Sequence, residues 1–227
     1  MEKLNLSTRN RILLVALVAL AWTACKKDEP TIAVDLGYDY FPNEILKYKE
    51  YFVDSTAHGI TIENYQFYVR EELTESFVDD EGQVSIRVER SKKTNIDDDW
   101  VLTDIWTQKK TSTSAQRVEE NIRYVRLAFP ADLEEQWNGN AYNDEDEWLH
   151  RYLEIGVAKQ VGTFDFGSTA TVEQRNNVNL VDQELSTEIY AKDVGLVYKS
   201  LIDLNFQDLE ITGVEVEMTL VDHGWIE

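Results

Sequence analysis

Apolar and polar residues alternate with a period of two along most of the chain after Phe41, the spacing of strands whose successive side chains point to opposite faces. In "NYQFYVREE", Tyr65, Phe67 and Val69 fall on one face and Gln66, Tyr68 and Arg70 on the other. "GQVSIRVER" sets Val84, Ile86 and Val88 against Ser85, Arg87 and Glu89. The intervening "TESFVDDEG" carries Asp-Asp-Glu-Gly turn punctuation, so the two runs predict an antiparallel hairpin. The alternation returns in "WVLTDIWTQ", "NIRYVRLAF", "LHRYLEIG", "STATVEQ", "LSTEIYA", "GLVYKSLIDL" and "GVEVEMTLVDHG", for roughly nine to ten short strands. Helical signal is sparse. "PADLEEQWNG", with Pro130 at a first position and Gly139 at a stop, predicts one or two turns. So many short strands must curl to bury one face. The expected fold class is therefore mainly β, a single antiparallel curved sheet forming a half-barrel or lipocalin-like cup with few short helices; a β-sandwich is the alternative.

The N-terminus follows another pattern. Lys3, Arg9 and Arg11 precede an apolar run of 13 residues, Ile12 to Ala24, too short to span a bilayer. Residues 1–24 thus predict a signal peptide. Thr23 and Ala24 lead directly into Cys25, an arrangement that resembles the lipobox of bacterial lipoproteins, departing from it at Trp22. Cys25 is the only cysteine, and lipidation would leave no thiol for disulfides, metal ligation or nucleophilic catalysis. The following Lys26, Lys27, Asp28 and Glu29 resemble the signal that sends Bacteroidota lipoproteins to the outer face of the outer membrane. Residues 25–40 are expected to form a flexible tether, and 41–227 a single β domain, since no repeat or Pro-, Gly- or Ser-rich linker interrupts the rest.

Charge narrows the partners. The chain of 227 residues carries a net charge of −21, and −23 without residues 1–24. Such a surface repels nucleic acid and anionic lipid heads, which need clustered Lys and Arg. The expected contacts are the membrane, through an N-terminal lipid, and a hydrophobic or carbohydrate ligand or an envelope protein, with no nucleic acid.

The segments "YFPNEILKYKEYFVDS" (Tyr40 to Ser55), "ENIRYVRLAFP" (Glu120 to Pro130), "WNGNAYN" (Trp137 to Asn143) and "EIYAKDVGLVYK" (Glu188 to Lys199) extend over most of the mature chain. In them the chain resembles a family of uncharacterised Bacteroidota lipoproteins. That family often has Gly where Leu46 stands and Trp where Lys49 stands. The resemblance implies a mostly β periplasmic or surface domain, and it implies no activity and no functional residues.

Motifs that carry chemistry are scarce. "WNGNAYNDEDEW" offers Asn143, Asp144 and Asp146 as oxygen donors for Ca²⁺, but without the spacing of an EF-hand, so a solvated acidic loop is the stronger expectation and no metal is assigned. "NIDDDW" places Trp100 where a Ca²⁺ loop needs Gly. His58, His150 and His223 are far apart and in no zinc-binding spacing. No nucleophile elbow, P-loop or dinucleotide fingerprint occurs, and no cofactor is expected. Aromatic residues are the better lead. Trp100 and Trp106 have the separation that would put them on one strand face, where, with Trp137, they could line an apolar cup or stack on a sugar; cross-strand core packing is the plainer role. Gly195 in "VGLVYK" predicts a bulge or turn just before a strand. The sequence thus favours a lipid-anchored, non-catalytic β domain that binds a ligand or partner in the cell envelope, on the outer membrane and exposed at the cell surface, with the periplasmic face as alternative. A hydrolase acting on envelope or external polysaccharide through paired carboxylates is the rival.

Overall fold

Period-two alternation becomes twelve strands in a computed structural model, which describes residues 34–207 and 210–226. Residues 1–24, Cys25 and Lys26, Lys27, Asp28 and Glu29 lie outside the described residues. The strands are β1 (Lys47–His58), β2 (Glu63–Val78), β3 (Val84–Lys93), β4 (Val101–Lys110), β5 (Ser114–Glu119) and β6 (Ile122–Ala128). After them come β7 (Gln136–Asn138), β8 (Leu149–Val161), β9 (Phe164–Val178), β10 (Asp182–Ala191), β11 (Gly195–Gln207) and β12 (Glu210–Trp225). All belong to one antiparallel sheet, ordered β6-β5-β4-β3-β2-β1-β12-β11-β10-β9-β8-β7. The hairpin β2–β3 is as the sequence predicts. A curved single sheet is realised and a sandwich is not.

The sheet curls until its two edge strands almost meet. Between them the Val125 amide donates to the Gly139 carbonyl (2.8 Å), the Trp137 indole N–H donates to the Val125 carbonyl (3.1 Å), and the Asn143 side chain donates to the Arg123 carbonyl (2.8 Å). The "WNGNAYN" segment is thus the clasp of a nearly closed barrel, a solution that hides sheet edges from other chains. This clasp also corrects the helix expected at "PADLEEQWNG". Residues 132–135 form a turn and Gln136–Asn138 a short strand paired with Leu149–Arg151, because Trp137 gains more from the seam than one isolated helical turn could supply.

One barrel end is stoppered by residues just before β1. Tyr38–Tyr40 form a 3₁₀ turn, Tyr40 and Phe41 are buried, and the Gln108 side chain donates to the Pro42 carbonyl (3.0 Å). Burying Phe41 alone is worth about 1.5–3 kcal/mol. The compact unit begins at Asp35, so the boundary expected after Tyr40 falls earlier: the tail of the expected tether is packed against the barrel. The main core runs along the interior through Tyr51, Val53, Val69, Leu127, Tyr152, Val172, Val197 and Leu220, and a smaller cluster of Leu73, Ile86 and Val88 packs against Trp106.

Candidate functional site

The barrel interior is not filled by these apolar residues alone. Glu71 continues the inward series Phe67, Val69 on β2, and cross-strand pairing places it beside Lys49 of β1 and Arg90 of β3. On the opposite wall Glu188 of β10 pairs with Lys199 of β11, which in turn faces Met218 of β12. Arg117 and Glu119 of β5 and Arg126 of β6 complete an ionic belt. Beside the belt lies an apolar wall of Val53, Phe67, Leu201, Val216 and Met218, and the two together line a cavity of about 260 Å³. That is close to the lower end of the roughly 300–1,000 Å³ typical of small-molecule sites.

Each interior carboxylate has a guanidinium or ammonium beside it. Arg117 Nη2 stands 2.7 Å from Glu71 Oε2, an ion contact whose angle is too poor for an aligned hydrogen bond. Arg126 Nη2 donates to Glu119 Oε1 at 2.6 Å, and its Nη1 lies 3.7 Å from Glu188 Oε1. Lys199 Nζ is 3.5 Å from Glu188, which also accepts a hydrogen bond from the Tyr190 hydroxyl. Burial alone would raise the pKa of these acids. For Glu71 and Glu188 the neighbouring cations outweigh it and hold both below the usual range, while Arg126 and Arg117 hold Glu119 at about 2. All three are therefore ionised at neutral pH. None is poised as the general acid that glycoside hydrolysis requires.

Lys49 is the exception in the belt. Burial lowers its pKa to about 8, its nearest carboxylate oxygen is Glu71 Oε2 at 3.9 Å, and that oxygen is already engaged by Arg117. Arg90, by contrast, donates to Asp104 at 3.2 Å.

The three tryptophans singled out in the sequence separate. Trp106 lines the cavity, sandwiched between Arg90 and Arg117 at 4.7 and 4.9 Å, with its indole N–H donating to Glu120. Trp100 precedes β4 and does not share its face with Trp106: a bulge opposite Arg90 and Ser91 adds Thr103 and breaks the parity, leaving Trp100 under Lys93. Trp137 is a core residue of the seam, packed on Tyr152 and His150. Asn143 and Asp146 make hydrogen bonds within the loop, and Asn143 also bonds across the seam to Arg123. Asn143 Oδ1 accepts from the Glu145 amide, Asn140 donates to the Asp146 carbonyl, and Asp144 is exposed. Among the described residues no group of three His, Cys, Asp or Glu side chains is placed to hold a metal. The histidines stay apart, His58 bonded to Glu215, His223 against Phe164 and His150 buried. Gly195 opens β11 at φ 91°, packed against Pro42.

The ionic belt escaped the sequence reading because a charged residue inside a strand suggests the solvent face. The available signal was parity: Glu71 has the same odd spacing as Tyr65, Phe67, Val69 and Leu73.

Fold and site together define a nearly closed antiparallel barrel with an interior cavity lined by an apolar wall and an ionic belt beside it. No family model and no curated protein sequence matches the chain. Among solved structures it is similar to a predicted exported protein of YmcC-like fold from Bacteroides fragilis, at 8% identity and a TM-score of 0.45, over 81% of this chain and 98% of that one. It is also similar to a predicted lipoprotein from Parabacteroides distasonis, at 9% identity and a TM-score of 0.38, over 82% of this chain and 98% of that one.

Proposed function

We propose that the chain is a lipid-anchored cell-envelope protein whose barrel holds a small ligand non-catalytically in its interior cavity. The observation that carries this reading is the cavity itself: an apolar wall of Val53, Phe67, Leu201, Val216 and Met218 beside a belt of ionised side chains. Apolar surface supplies affinity and a few fixed polar groups supply orientation. Ionised carboxylates with depressed pKa values favour binding over acid catalysis.

Binding of the neutral amphiphile decanol tests the cavity directly. Saturable binding by the wild type is expected, with loss in Leu201→Trp, which fills the apolar wall; equal binding by both proteins would overturn the reading. The envelope assignment rests on the signal-like residues 1–24, Cys25 and Lys26 to Glu29. A Cys25→Ser variant is expected to leave the membrane fraction, and protease added to intact cells is expected to cut the wild type. Retention of the variant in membranes would sink the anchor, and protection in intact cells would move the protein to the periplasmic face.

A further inference from the structure

Charge inside the barrel has the opposite sign to the molecule as a whole. In a chain of net charge −21, the cavity lining contains five cations, Lys and Arg, against three carboxylates, all Glu. Pairing accounts for four of the five cations. Arg117 takes Glu71, Arg126 takes Glu119, Lys199 takes Glu188, and Arg90 turns to Asp104 at the next strand. Lys49 remains. Its ammonium is 3.9 Å from a carboxylate oxygen that Arg117 approaches to 2.7 Å, and among the described residues it donates no hydrogen bond.

A half-matched ammonium on a side chain only 13% exposed is stabilised when an anion joins it. Solvation of the charge could be met at the surface by any lysine, yet this one lines the same cavity as the apolar wall, separated from Val53 and Phe67 along β1 and β2 by the pair Tyr51 and Val69. Among the described residues one cavity cation is in surplus, which matches a single negative charge, and the apolar wall of the same cavity suits an apolar body rather than a second polar group. Inorganic anions would leave that wall unused. A double-chain lipid is too large for about 260 Å³.

We propose that the cavity binds a small monoanionic amphiphile, its anionic head on the Lys49 ammonium and its chain against Val53, Phe67, Leu201, Val216 and Met218. This rests on the ligand-binding reading above and adds the charge and class of the ligand. A head group placed there accepts hydrogen bonds from Lys49 and leaves the Glu71–Arg117 contact intact.

Calorimetric titration of the purified full chain with decanoate and with decanol separates the two levels. Decanoate is expected to bind about tenfold or more tighter than decanol, the discrimination that one charge-assisted hydrogen bond supplies. Lys49→Met is expected to abolish that preference while decanol binding persists, and Lys49→Arg to keep it; persistent decanol binding also reports that each variant is folded. Equal affinity for the two ligands in the wild type would overturn the anion assignment and leave ligand binding standing, as would a preference undiminished in Lys49→Met. Failure of both ligands to bind would bring down the cavity reading itself, and this proposal with it.

Discussion

Gly139 lies against the ring of His150 so closely that a Cβ at position 139 would clash with ring atoms. The glycine at the centre of "WNGN" is there for room. With Val125 donating to its carbonyl and its own amide bonded to the Trp148 carbonyl, the backbone at 139 cannot shift without opening the barrel seam. Gly139→Ala is therefore expected to destabilise by about 1–3 kcal/mol, the cost of overpacking a closed site. Urea denaturation measures it. Adding His150→Ala to Gly139→Ala should recover part of the loss, and simple additivity of the two changes would disprove the steric coupling.

His150 also sets an acid sensitivity. The ring is buried, among the described residues neither nitrogen has a hydrogen-bond partner, and burial lowers its pKa from the ordinary 6.5 to about 4. Above pH 6.5 both folded and unfolded forms are neutral and the group is silent. As pH falls from 6.5 toward 4 the unfolded chain takes up a proton that the folded chain refuses, so stability is lost, by about 2 kcal/mol at pH 5. The Glu119 contribution, with its carboxyl held at about 2, is lost only below about pH 4.5. Denaturation midpoints at pH 7 and pH 5 should thus differ more in the wild type than in His150→Asn. An identical drop in both would assign the sensitivity elsewhere.

The Glu71–Arg117 contact at 2.7 Å is buried on both sides. Removing one partner strands the other: Glu71→Gln is expected to cost about 3–5 kcal/mol, leaving Arg117 and Lys49 without their carboxylate. In Glu71→Gln/Arg117→Met the penalty should fall short of the sum of the singles by 1 kcal/mol or more. A double-mutant cycle with no coupling term would show that the two charges are solvated independently.

Leu46 precedes β1 at φ 70°, a left-handed conformation costly for a side chain with Cβ. It is fixed from both sides, its amide donating to the Leu73 carbonyl (2.6 Å) and its carbonyl accepting from the Ile226 amide (2.7 Å). Its side chain is about half exposed, and the Gly and Ala variants both remove it. Leu46→Gly should be more stable than Leu46→Ala by about 1 kcal/mol, because only the glycine adopts this φ without strain. Equal melting behaviour of the two variants would remove the strain argument.

Sequence alone determined that the chain is built of short antiparallel strands. Period-two alternation is a local property, written residue by residue in runs such as Tyr65, Phe67, Val69, and the hairpin turn at Asp79–Gly82 follows from local backbone preference. Net negative charge and the export-like N-terminus are equally local. Tertiary structure decided what the alternation could not encode. A bulge at Thr103 moved Trp100 and Trp106 to different faces, and the clasp of Trp137, Gly139 and Asn143 on β6 turned a candidate helix and acidic loop into the barrel seam. Closure then brought Glu71, Glu119 and Glu188 together with their cations, leaving Lys49 half-matched in a cavity it shares with an apolar wall. Strand propensity acts between neighbours in the chain. Whether a charged side chain meets water or a partner depends on which distant strand lies opposite, and only the closed sheet fixes that.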